Sequence, residues 1–245
     1  MVHKVHIAIV LDRSGSMGDA RADAVDAINR YLRTVRDDQS MEARLSVVLF
    51  DSHGIDTIRD RVPVGACKDV DIDEYQPRGS TPLLDAVGYS VGIVDCLSHK
   101  DERRIMAIVT DGLENASREY TRDRLKCLLE RKQMQDGWLV MYLGAGHDSW
   151  SQASQIGIAA RHTADFSLHA FGEAAEILRS VGSRYLARAK GWDISTGTEL
   201  TSDERMRLIN GGKLSRGKPL AKGPGRSSGA ADWSGRPAQR SNGEG

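Results

Sequence analysis

The sequence predicts an α/β fold: a doubly wound, mostly parallel sheet with helices on both faces. Three observations carry this. Short apolar runs rich in β-branched residues recur at Val5–Leu11, Arg44–Phe50, Arg104–Thr110 and Trp138–Leu143, as strands buried on both faces require. Stretches with helical spacing alternate with them. Asp12 directly follows the first run and Asp111 the third, and ligands of such sheets sit at the carboxyl ends of strands.

The first strand ends at Asp12 in a Ser/Gly turn. Asp19–Val35 follows with apolar Ala24, Val25, Ile28, Leu32 and Val35 at helical spacing. After the strand 44–50, Asp51–Gly54 reads as a tight turn, and Ile55–Val64 as an edge strand ended by Pro63. Residues 66–81 read as an acidic loop. A helix then opens near Pro82, which suits a first turn, and runs to about Leu97. Thr121 is the expected N-cap of a helix reaching Gln135. Residues 148–156 read as a short helix, Ile158–His162 as a last edge strand, and Leu168–Ala189 as a long helix. Thr201 and Glu204 have capping-box spacing.

Three segments are expected: a domain over 1–190, a short extension over 191–210, and a disordered Gly/Pro/basic tail over 211–245. The tail carries seven Lys/Arg against Asp232 and Glu244. Because the whole chain sums to zero, the first 210 residues carry a compensating −5. That tail has little aromatic content, and we expect no nucleic-acid partner. Cys67, Cys96 and Cys127 are an odd, widely spaced set, which indicates reduced thiols rather than a zinc site or a disulfide framework. The N-terminus lacks the apolar core of a signal peptide. No run approaches the ~18 apolar residues of a membrane span. The expected location is cytoplasmic.

The chemistry lies in three segments far apart in the chain: Asp12-Arg13-Ser14-Gly15-Ser16, Gly79-Ser80-Thr81-Pro82-Leu83 and Thr110-Asp111-Gly112. Their candidate donors are all oxygens: the carboxylates of Asp12 and Asp111 and the hydroxyls of Ser14, Ser16 and Thr81. Such a set suits a hard divalent cation. Each segment also has an ordinary reading. A Ser/Gly turn after a strand is often only a turn, Ser80 or Thr81 can cap the helix that follows, and Asp-Gly ends many strands.

In combination the segments resemble the von Willebrand factor A domain with its metal-ion-dependent adhesion site, whose pattern is Asp-x-Ser-x-Ser, a distant Thr and a distant Asp. Here these positions read Asp12, Ser14, Ser16, Thr81 and Asp111, and the resemblance covers roughly residues 3–190. It implies a Rossmann-like sheet with one antiparallel edge strand, which Ile55–Val64 would supply. It implies Mg2+, with Mn2+ as the alternative, held by those five residues, and a protein partner that contributes a Glu or Asp as the last ligand. The short layout is similar to stand-alone bacterial or phage members, adaptors that often work with AAA+ ATPases.

The competing reading is a Mg2+-dependent, phosphatase-like hydrolase at the same sheet edge, with Asp12 as phosphoryl acceptor. Such enzymes favour a second Asp two residues on, where this chain has Ser14. Glu114 and Asn115 are candidates to support the metal loop, and Arg13 and Arg78 to steer an acidic partner. The pair His147-Asp148 makes a poor catalytic candidate.

Overall fold

A computed structural model of the chain describes residues 2–99, 101–145, 148–188 and 196–210. The expectations for the tail and for His147 lie outside these residues. All described residues belong to one compact unit, Met1–Lys213.

The sheet is built from β1 (His3–Asp12), β2 (Met41–Asp51), β3 (Gly54–Pro63), β4 (Arg103–Thr110), β5 (Leu139–Gly144) and β6 (Thr163–Asp165). The helices are α1 (Arg21–Asp37), α2 (Leu83–Leu97), α3 (Arg122–Met134), α4 (Ser149–Gln155), α5 (Phe171–Leu186) and α6 (Ser202–Asn210). The six strands lie in the order β3-β2-β1-β4-β5-β6. Every pairing is parallel except β2 with β3, so the edge strand foreseen after the tight turn is antiparallel.

Successive side chains of a strand point to opposite faces, so the apolar runs feed two cores. From β1, Ile7, Ile9 and Leu11 join the core that contains Ala24, Ile28 and Leu32 of α1 and Ile177, Leu178 and Val181 of α5. Ala8 and Val10 join the core formed with Leu84, Val87 and Val91 of α2 and Leu125 and Leu129 of α3. Burial on both faces is the reason residues 7–11 of β1 and 105–109 of β4 include no polar side chain.

Helix ends follow local chemistry. Thr121 Oγ1 accepts from Arg124 N at 3.3 Å and caps α3. Thr201 and Glu204 form the reciprocal pair expected at α6, with bonds of 2.9 and 3.1 Å. α1 and α5 begin at Arg21 and Phe171, later than the apolar spacing suggests, because a short 3-10 turn precedes each.

One element differs in kind. Ile158–His162 is not the last strand: Ala160–His162 is a 3-10 turn, and Thr163–Asp165 forms the ladder with β5. Ile158 is apolar because it packs with α3, and His162 is buried with Nε2 at 2.9 Å from Thr198 Oγ1. Among the described residues no helix is long and apolar enough to cross a membrane.

Candidate metal centre

β1 and β4 are neighbours at the point where the strand order reverses direction, and in sheets of this kind ligands bind beyond the carboxyl ends of the strands at that point. Asp12 is the last residue of β1, and Asp111 is the first beyond β4. The two strands are tied at this edge by Thr110 Oγ1, which donates to Asp12 Oδ2 at 2.5 Å. Ser14 N donates to Asp12 Oδ1 at 2.7 Å and folds the loop back over the strand end. Ser14 Oγ lies 3.1 Å from Ser16 Oγ, and Ser16 Oγ donates to Asp111 Oδ1 at 2.7 Å.

Thr81 enters from the second of the three loops. A Cβ built on Gly112 would fall 2.5 Å from Thr81 Oγ1 and 3.3 Å from Asp12 Oδ2. The absence of a side chain at 112 is what lets these oxygens approach the strand end. All five residues singled out by the sequence pattern therefore gather at one point.

Several long-range contacts hold the three loops together. Gly15 N donates to Gly79 O at 3.1 Å and Arg78 N to Arg13 O at 2.9 Å, so the first two loops share a short backbone ladder. Asp51, at the end of β2, accepts from Arg13 Nε at 2.7 Å and from Arg78 Nε at 3.0 Å on one oxygen. Its other oxygen accepts from His53 N and Gly54 N, closing the β2–β3 turn. Arg13 also reaches Asp56 at 2.6 Å. Tyr75 OH donates to Asp12 O at 2.5 Å.

These contacts revise two sequence expectations. Arg13 is 5% exposed and doubly ion-paired, so it braces the loops and presents no charge to a partner. Neither Ser80 nor Thr81 caps α2: Leu84 N donates instead to Glu114 Oε2 at 2.9 Å and Asp85 N to Ser117 Oγ at 3.1 Å. Thr81 Oγ1 is thereby left for the site. Asn115 supports the same loop, its Oδ1 accepting from Thr81 N at 2.9 Å. Asp51 and Tyr75 were not singled out by the sequence. The available signal was that Asp51 ends a buried strand as Asp12 does.

Asp12 is fully buried, and loss of water pushes its carboxyl up from the usual range, with Asp111 adding to the effect. Burial pushes Asp111 up as well. Among the described residues no Lys, Arg or His pairs with either carboxylate; their partners are hydroxyls and a backbone amide. Two under-compensated carboxylates with converging hydroxyls fit a hard divalent cation. No group of three or more His, Cys, Asp or Glu that could hold a metal occurs among the described residues, so a zinc-type ligand set is not what gathers here.

No family model matches the sequence, and no curated protein matches it. Solved structures do match the fold. The von Willebrand factor type A protein from Catenulispora acidiphila superposes with a TM-score of 0.55 at 15% identity, covering 76% of this chain and 44% of that one. The vWF domain of the type V pili tip protein Mfa5 from Porphyromonas gingivalis gives a TM-score of 0.55 at 11% identity, covering 79% of this chain and 99% of that one. Proximal thread matrix protein 1 from the mussel byssus, with a zinc-occupied MIDAS motif, gives 0.52 at 18% identity, covering 73% and 44%. This chain thus spans less than half of the Catenulispora and mussel chains. The chain has the fold of a von Willebrand factor A domain.

Proposed function

We infer that the chain is a metal-dependent protein-interaction module, in which a divalent ion held by Asp12, Ser14, Ser16, Thr81 and Asp111 binds an acidic residue of a partner. The observation that carries this reading is the convergence of the buried Asp12 carboxylate, the half-buried Asp111 carboxylate and three hydroxyls at one sheet edge, with no basic residue paired to either carboxylate among the described residues. Two carboxylates match the charge of the ion, and neutral hydroxyls do not quench it further, so it retains attraction for one more anionic oxygen. The ion is Mg2+ by its preference for oxygen donors, with Mn2+ as the alternative. The zinc at the MIDAS motif of the mussel protein supports the view that this fold accommodates a divalent ion there.

A hydrolase would need a nucleophile or general base beside the ion. The pairing of Thr110 and Ser14 with Asp12 leaves that carboxylate braced from two sides, and the position two residues on is Ser14. These features favour binding over turnover. The partner proposed is a cytoplasmic protein, with an AAA+ ATPase as the first candidate.

The test is capture from host lysate on the tagged chain in Mg2+, in EDTA, and with Thr81→Ala in Mg2+. A protein retained only by the unaltered chain in Mg2+ supports the reading and identifies the partner. Equal retention in all three overturns it.

A further inference from the structure

A cleft of about 640 Å3 opens on the Thr81 side of the metal centre, between the β2–β3 turn and the loop that follows Gly112. Ser80 and Pro82, the chain neighbours of Thr81, form part of its wall, together with Ser52, His53, Asn115 and Arg118. The cleft is therefore within one residue of the metal-facing hydroxyl.

The acidic groups of this wall are already committed. Asp51 accepts two backbone amides on one oxygen and two arginines on the other. Asp85 accepts from Arg118 N at 2.7 Å on one oxygen, and from Glu119 N at 3.0 Å and Tyr120 N at 2.8 Å on the other.

The uncommitted groups are donors. The exposed Arg118 guanidinium makes no ion pair or hydrogen bond among the described residues, because only its backbone amide is engaged. Asn115 uses its Oδ1 on Thr81 N and leaves its NH2 group to the cleft. Ser52 Oγ accepts from Ser80 N at 2.9 Å, so its own proton is left to donate. A wall whose carboxylates are committed and that keeps spare donors, one of them cationic, calls for an anionic occupant rich in acceptors.

We propose that this cleft takes a second carboxylate of the same partner segment, so that the partner is recognised as a pair of acidic residues, one on the ion and one on Arg118 and Asn115. This rests on the metal-dependent reading above and adds the partner's chemistry to it. The first acid supplies metal dependence, and the second supplies discrimination among the many proteins that expose a single Glu or Asp.

The test uses labelled, end-blocked Gly/Ser peptides carrying one Glu, or that Glu with a second Glu one, two or three residues away. Each two-acid peptide has a control in which the second Glu is Gln. Binding to the full chain is read by fluorescence anisotropy in Mg2+ and in EDTA, for the unaltered chain and for Arg118→Gln. The expected result is metal-dependent binding of all peptides, with the best two-acid peptide about tenfold tighter than its control, and loss of that advantage in Arg118→Gln while single-acid binding persists. Metal-dependent binding with no gain from the second acid overturns the cleft assignment and leaves the metal reading standing. A gain that survives in Arg118→Gln overturns it too. Absence of metal dependence for every peptide overturns both readings.

Discussion

Arg13 Nε donates to Asp51 Oδ2 at 2.7 Å, joining the loop after β1 to the end of β2 with both side chains almost wholly buried. Removing Asp51 leaves the buried Arg13 with Asp56 alone and the amides of His53 and Gly54 without their acceptor, a penalty of about 3–5 kcal/mol. Asp51→Ala is expected to destabilise the chain by that order in urea unfolding. A loss below about 1 kcal/mol would show that this pair does not hold the loops.

Gly112→Ala places a methyl where Thr81 Oγ1 and Asp12 Oδ2 now approach the backbone. It is expected to weaken Mn2+ binding at least about tenfold in calorimetric titration, with the far-UV dichroism unchanged, because only the loop must shift. Unaltered affinity would place the ion elsewhere.

Asp12 and Asp111 oppose folding while they are charged and metal-free, since burial raises both carboxyls above their unfolded range. The folded state binds those protons more tightly than the unfolded chain, so in EDTA the penalty is present at neutral pH and relieved as pH falls. Asp12→Asn is expected to raise the melting temperature in EDTA by a few degrees and to abolish the further rise on adding Mg2+. A variant that still gains stability from Mg2+ would remove Asp12 from the ligand set.

His6 and His162 act in the opposite sense. His6 is buried between Ser98 Oγ at 2.7 Å and Ser46 Oγ at 2.9 Å, and burial lowers it to about 4; burial lowers His162 to about 4 as well. The unfolded chain, titrating near 6.5, takes up these protons first as pH falls. The stability they contribute is complete above 6.5 and declines down to about 4, by roughly 3 kcal/mol for each. Urea unfolding at several pH values should show this slope, and His6→Gln should flatten it. Parallel slopes for the two proteins would exclude His6 as a source.

β1 and β4 were legible in the sequence because strands buried on both faces read as unbroken apolar runs, and each run is closed by an aspartate. The helices were legible from their apolar stripes, less so at their ends, where the 3-10 turns before α1 and α5 share the same apolar spacing. The misplacement of β6 has a physical reason: Ile158 is apolar for packing against α3, while the ladder itself is made by the more polar Thr163–Asp165. The bracing of the site was hidden because it is built from distant pairs. Nothing local to Arg13 announces Asp51 and Asp56, and nothing local to Thr81 announces Asn115.

β1 is hydrogen-bonded on both sides, paired residue for residue with β2 from His3↔Met41 to Asp12↔Phe50 and with β4 from Val5↔Arg103 to Leu11↔Val109. A slip of one position would turn each of its side chains to the opposite core and put Leu11 at the rim in place of Asp12. The address of the metal centre is thus written in strand alignment as much as in residue identity. Adding one residue within the segment from Val5 to Asp12 should erase the centre while leaving every donor in the chain.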